Sequence, residues 1–173
     1  MTSSHVRAAR WAAIAAALVF SGCGYTTNTA LLPTHLKTIA IPVFVNSTTE
    51  VTLEKEITDA VIARFVSDNH LKVVDERSAN SILRGRVASY KNSVFGFSTS
   101  SVAEEYRVTI VVDVTLKDQV KNREMWTEPA MTKTANYYVV NVPGRIARTE
   151  LDGRKEAVGK IAEEIVNRTV ESW

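Results

Sequence analysis

Between Glu105 and Lys117 apolar and polar residues alternate almost without a break. Tyr106, Val108, Ile110, Val112, Val114 and Leu116 fall on one side, and Arg107, Thr109, Asp113, Thr115 and Lys117 on the other. A period of two is that of a β-strand with one dry face and one wet face. Any fold containing this strand must cover one side and leave the other to water or to a polar partner. Two stretches have the helical period needed for the cover. From Val51 to Asp68, Leu53, Ile57, Val61 and Phe65 recur every four residues, supported by Ala60, Ile62 and Val66, with Glu54, Lys55, Glu56, Thr58 and Asp59 outward. After Pro143-Gly144, Val158, Ile161, Ala162, Ile165 and Thr169 form a second stripe that Trp173 would extend. Lys160 and Glu164 stand at i, i+4 on its wet side.

The other segments supply more sheet. Lys37–Val45 reads as a strand with Ile39, Ile41, Val43 and Val45 on one face, and Pro42, which has no N–H, marks an edge or a bulge. Asn46–Glu50 is a turn in which Ser47 and Glu50 have capping-box spacing. Leu71–Val74 is a short strand, so strand, helix and strand make a crossover with parallel strands. Ser81–Val94 is a further strand in which Gly85 marks a bulge or a close contact. Asn92–Ala103 is a Ser- and Thr-rich loop centred on Phe95-Gly96-Phe97, and Asp118–Arg123 is a polar turn. Glu124–Glu128 resumes as a strand toward Val140, interrupted at Pro129. The expected fold is an α+β two-layer sandwich: two helices on a mixed, largely antiparallel sheet of four to five strands, in the order β-α-β-β-β-β-α.

The chain of 173 residues has one cysteine, Cys23, so no intramolecular disulfide is possible and burial alone must hold the fold. Ahead of it lie Arg7 and Arg10 and the uncharged, mostly apolar run Trp11–Phe20, too short for an ordinary spanning helix. This is the layout of a secretory signal. Ser21-Gly22-Cys23 resembles a bacterial lipobox, departing from it at Phe20, where Leu, Val or Ile is usual. The expected organisation is a signal peptide over 1–22, a lipidated tether over 23–36 and one domain over 37–173. Gly24 after the Cys, by resemblance to sorting in Gram-negative bacteria, directs the protein to the outer membrane, on its periplasmic side. Two of the 21 Lys and Arg residues lie in the leader, leaving 19 basic against 19 acidic residues. A neutral mature chain lacks the clustered footprint of a nucleic-acid binder.

Little in the chain points to catalysis. His35 and His70 are the histidines beyond the leader, one in the tether and one at a helix end, and both read as solvated or capping groups. No nucleophile elbow, phosphate-cradling glycine loop or histidine zinc motif is present, and adjacent Glu104 and Glu105 point to opposite faces of a strand. No enzyme activity, cofactor or metal is expected. Three features could bind a partner. Phe95 and Phe97 are either an exposed aromatic anchor or a cover for the sheet end. Lys117, Lys121 and Arg123 either meet phosphate or carboxylate groups or form a solvated turn. Arg84 and Arg86, with Arg107 alongside, are either an anion-contacting surface or the wet side of the sheet.

Taken in order, Cys23-Gly24-Tyr25, Leu36–Asn46, Leu53-Glu54, Val73-Val74-Asp75, Ile82–Gly85 and Ser89-Tyr90 resemble the LPS-assembly lipoproteins of the LptE type. Glu105–Val108, Val112–Asp118, Met125-Trp126 and a closing helix ending near Trp173 continue the resemblance over the mature chain. It implies a helix-backed sheet seated in the outer-membrane β-barrel LptD, supporting and plugging it while lipopolysaccharide passes to the outer leaflet. The first half, with Val73–Arg77, also resembles the α/β module of CsgG- and LpoB-type lipoproteins, a secretion pore and an activator of peptidoglycan synthases. The long hairpin 105–128 followed by one terminal helix is more similar to the LptE type.

Overall fold

The computed structural model describes residues 32–99, 102–141 and 143–171. In chain order the elements are β1 (Thr38–Ala40), β2 (Val45–Asn46), α1 (Leu53–Asp68), β3 (Lys72–Val73), β4 (Ser81–Phe97), β5 (Ala103–Asp118), β6 (Arg123–Tyr138) and α2 (Glu150–Glu171). They form one sheet in the order β3-β1-β4-β5-β6, with β2 also on β4. β1 runs parallel to β3 and β4, while β4, β5 and β6 form an antiparallel meander. Both helices back one face of this mixed, open sheet, which is the expected class. The sheet has six strands because the stretch 37–45 is divided in two.

The division has a local cause. Pro42 lies in the gap between β1 and β2, and the backbone turns there so that Phe44 points in while Val43 and Val45 point out. The expected single strand face of Ile39, Ile41, Val43 and Val45 therefore does not hold together: the first two are buried and the last two exposed. The Phe44 ring lies over Gly85, where a Cβ would fall within the ring. Gly85 is thus a close contact that only glycine permits. The Phe44 N–H donates to Thr58 Oγ1 at 3.0 Å, and that hydroxyl donates to the Glu54 carbonyl at 2.6 Å. Thr58, expected outward, is consequently buried.

In α1 the four-residue stripe Leu53, Ile57, Val61 and Phe65 is fully buried, whereas Val66 is exposed. The capping box between Ser47 and Glu50 is not formed. Asn46 organises the turn instead: its Oδ1 accepts the Thr48 N–H at 2.9 Å, and its Nδ2 donates to the Glu50 carbonyl and to Glu54 Oε2, both at 2.7 Å. On α2, Val158, Ile161, Ala162, Ile165 and Thr169 are buried as expected; Trp173 lies outside the described residues. Lys160 pairs with Glu156 at 2.9 Å rather than with Glu164, which reaches across to Lys133 of β6 at 2.9 Å. Gly153 lets α2 approach the sheet, since a Cβ there would stand 2.7 Å from Tyr137 Cδ1.

The meander is longer than expected. β4 continues to Phe97 and β5 begins at Ala103, so the expected loop 92–103 is mostly strand. Register shifts at Val94/Gly96 and Gly96/Phe97 hide this from a search for strict alternation. Pro129 is absorbed by a bulge opposite Asp113, where Ala130 takes φ 54° and donates its N–H to Asp113 Oδ1 at 2.9 Å. The buried core runs from Leu36 to Val166, with Leu32 and Val170 packed at its rim. A chain starting at Gly24 therefore contains every described residue.

Gly85→Val should destabilise the domain by about 2 kcal/mol through overpacking against Phe44. Adding Phe44→Leu should recover part of that loss, so that a denaturant double-mutant cycle is non-additive; additive losses would show that the two residues do not meet.

Candidate functional site: the two ends of the sheet

The residues singled out in the sequence separate to opposite ends of β5. Phe97 pairs with Ala103 at one end, and Ser81 pairs with Asp118 at the other. Sixteen residues of strand span about 50 Å. Lys117, Lys121 and Arg123 therefore cannot share a site with Phe95 and Phe97.

The end near Asp118 is where the chain arrives from its N-terminal part. Asp118 is fully buried and is the hub of this end. Its Oδ1 accepts the N–H groups of Val120 and Lys121 at 2.9 and 3.0 Å, shaping the β5–β6 turn, and its Oδ2 lies 2.7 Å from His35 Nε2. Burial pushes the Asp118 carboxyl up, but the Lys121 N–H and His35, aided by the Val120 N–H, outweigh burial and hold it below its usual value. His35, expected to be solvated or capping, thus clamps the incoming segment to the turn. Nothing in the local sequence could signal this pairing, because the partners are 83 residues apart. Gln119 is held as well, donating its N–H to the Asn80 carbonyl at 2.8 Å. His70 sits at the end of α1 and pairs with Asp68 at 2.7 Å on the surface.

The far end is apolar and aromatic. Phe95 and Phe97 lie on β4 rather than in a loop, 49% and 66% exposed, so they do not fold back over the sheet. Val94, Val102, Val139, Val140 and Ile146 are exposed around them. The Arg107 guanidinium stacks 3.5 Å from the Phe95 ring centre and donates to Asn136 Oδ1 at 2.8 Å; Asn136 in turn donates to Glu105 Oε1 at 2.9 Å. Arg145 covers the Tyr138 ring at 4.7 Å and borders an open cleft of about 510 Å³ with Asn136, Gly144, Ile146 and Arg148.

Between the two ends, the face of the sheet away from the helices is polar. Arg84 pairs with Glu76 and Arg86 with Asp113, each at 2.5 Å, so these two arginines are committed within the sheet's wet side. The carboxyls of Asp113, Asp152 and Glu156 are held below their usual range by donors: first the Ala130 N–H, the Thr149 N–H and the Lys160 ammonium respectively. Such shifts fix charge rather than poise a group for proton transfer at neutral pH. Among the described residues no group of three or more His, Cys, Asp or Glu could hold a metal ion, and no helix is long and apolar enough to cross a membrane. Cys23 lies outside the described residues.

The sequence matches the LptE, lipopolysaccharide-assembly, family over residues 36–169, and the chain belongs to that family. It is a family of non-enzymatic accessory lipoproteins. No curated protein matches the sequence. Among solved structures the chain is similar to a Xanthomonas campestris protein, with 12% identity over 77% of this chain and 83% of that one and a TM-score of 0.54. It is also similar to a PelC dodecamer from Paraburkholderia phytofirmans, at 14% identity over 78% and 88% with a TM-score of 0.50. Rare lipoprotein B from Shewanella oneidensis is similar at 21% identity over 74% and 91%, with a TM-score of 0.46. The first two likenesses concern the fold alone; the family assignment rests on the sequence match.

Asp118→Ala should cost about 2 kcal/mol, since it removes the acceptor of two part-buried N–H groups and a charge-assisted contact. The folded carboxyl titrates below its ordinary 3.8, so its contribution is complete above that pH and is lost as pH falls through the lower folded value. Denaturant midpoints of parent and variant should differ most at neutral pH and converge in acid. A gap independent of pH would contradict this role.

Proposed function

We propose that the chain is an outer-membrane lipoprotein, cleaved after Gly22 and lipidated on Cys23, whose domain over 37–173 seats in the lumen of the LptD β-barrel. There it supports and plugs the barrel and assists lipopolysaccharide toward the outer leaflet. Family membership over residues 36–169 is the observation that carries this reading. The physical form of the domain supports it. Wide outer-membrane barrels have polar interiors, and the helix-free face of the sheet offers ion pairs and hydroxyls of matching character, such as Arg86 with Asp113 and Thr115 with Thr127. With about 50 Å of strand, a domain tethered at one leaflet has the reach to bring its far end past a barrel wall whose apolar band is about 25 Å tall. Phe95 and Phe97 at that end are the contacts assigned here to the barrel or to the lipopolysaccharide acyl chains.

Affinity purification of the protein from its own envelope should recover a large β-barrel protein. Recovery of a peptidoglycan synthase or of a homo-oligomeric ring would contradict the proposal. Cys23→Ala should leave the protein unprocessed or absent from the outer-membrane fraction. Replacing both Phe95 and Phe97 with Asp should reduce barrel recovery at least tenfold, roughly the effect of losing two aromatic anchors, without lowering the domain's melting temperature.

A further inference from the structure

We propose that the β5–β6 turn, Gln119 to Arg123 with Lys117 behind it, is a contact surface for the headgroups of an anionic phospholipid bilayer. Three observations converge on it. The turn carries Lys121 and Arg123 exposed, with Val120 between the basic positions and 60% exposed. A short apolar side chain flanked by cations is suited to the interface, where the charges meet phosphates and the methyls enter the headgroup layer. Next, none of Lys117, Lys121 and Arg123 is in any ion pair found among the described residues, whereas Arg84, Arg86, Lys133, Lys160 and Arg168 each hold a carboxylate. Of the acids at this end, Glu76 is held by Arg84 and Asp118 by His35 and two backbone N–H groups, while Glu124 stands across the hairpin from Lys117 without forming an ion pair with it.

The third observation is positional. Leu32, at the start of the described chain, is nine residues after Cys23, and three residues later His35 is fixed to the same Asp118 that shapes the turn. The twelve residues from Cys23 to His35 reach about 40 Å at most. A lipid at Cys23 therefore keeps the turn within that distance of the bilayer, and the clamp through His35 and Asp118 makes the turn move with the incoming chain. The far end, about 50 Å away, has no such constraint. The orientation of the domain rests on lipidation of Cys23; attraction of the turn to the bilayer does not.

The test uses the chain from Gly24 to Trp173, which holds every described residue and carries no lipid. It should bind vesicles of phosphatidylglycerol mixed with phosphatidylcholine and not vesicles of phosphatidylcholine alone, with binding lost as salt rises toward about 0.5 M. Each cation at such a surface is worth about fivefold in partitioning, so Lys117→Ser, Lys121→Ser and Arg123→Ser combined should lower it by about a hundredfold. Lys91→Ser with Arg145→Ser, toward the other end, should leave binding unchanged, and circular dichroism should report the same fold for every variant. Equal binding to both vesicle types, full binding by the triple variant, or binding to lipopolysaccharide micelles alone would overturn the proposal. Mass analysis of membrane-extracted protein tests Cys23 separately: an unlipidated cysteine would sink the anchoring reading and leave the vesicle result standing.

Discussion

Burial of one face of β5 is what the rest of the molecule depends on. Val108, Ile110, Val112, Val114 and Leu116 are all essentially inaccessible. At about 1.5–3 kcal/mol for each fully buried aliphatic side chain, this single strand contributes gross stabilisation of about 10 kcal/mol. It can do so only under α2, which explains why that helix must come close at Gly153, while α1 lays its unbroken stripe chiefly against α2. The other side of the same strand then has no cover within the domain. Arg107, Asp113 and Lys117 face outward as a direct consequence of the pleat.

The second constraint is polar. A strand that ends in a buried carboxylate needs donors, and Asp118 finds them in its own turn and in His35. The N-terminal segment, the basic turn and the start of β4 become one unit at that end. The opposite end closes with bulges, exposed aromatics and arginines that lie on rings rather than on carboxylates. The molecule is therefore polarised along β5, with a clamped basic end and an apolar end.

Much of this could be read in the sequence wherever period and local chemistry agree. The alternation of β5, the stripe of α1 and the close contact at Gly85 all follow from spacing or from the conformational freedom of glycine. The readings failed where a distant partner decided. Thr58 looks like a wet helical position but is drawn inward by the Phe44 N–H, and Val43 is turned out by the break at Pro42. Lys160 and Glu164 have ideal spacing, yet Glu164 finds Lys133 on another element. Phe95 and Phe97 sit among serines and threonines and read as loop, because bulges conceal the strand's period. Grouping the Phe pair with the basic turn as contact residues was possible in the sequence; the hairpin register alone separates them by the length of the sheet.

The polarity of the domain is the central claim, and position-specific photo-crosslinking in intact cells addresses it most directly. A photoreactive side chain in place of Phe97 should capture a large outer-membrane β-barrel protein, while one in place of Lys121 should label phospholipid. Capture of the barrel from position 121, with nothing captured from position 97, would contradict the account.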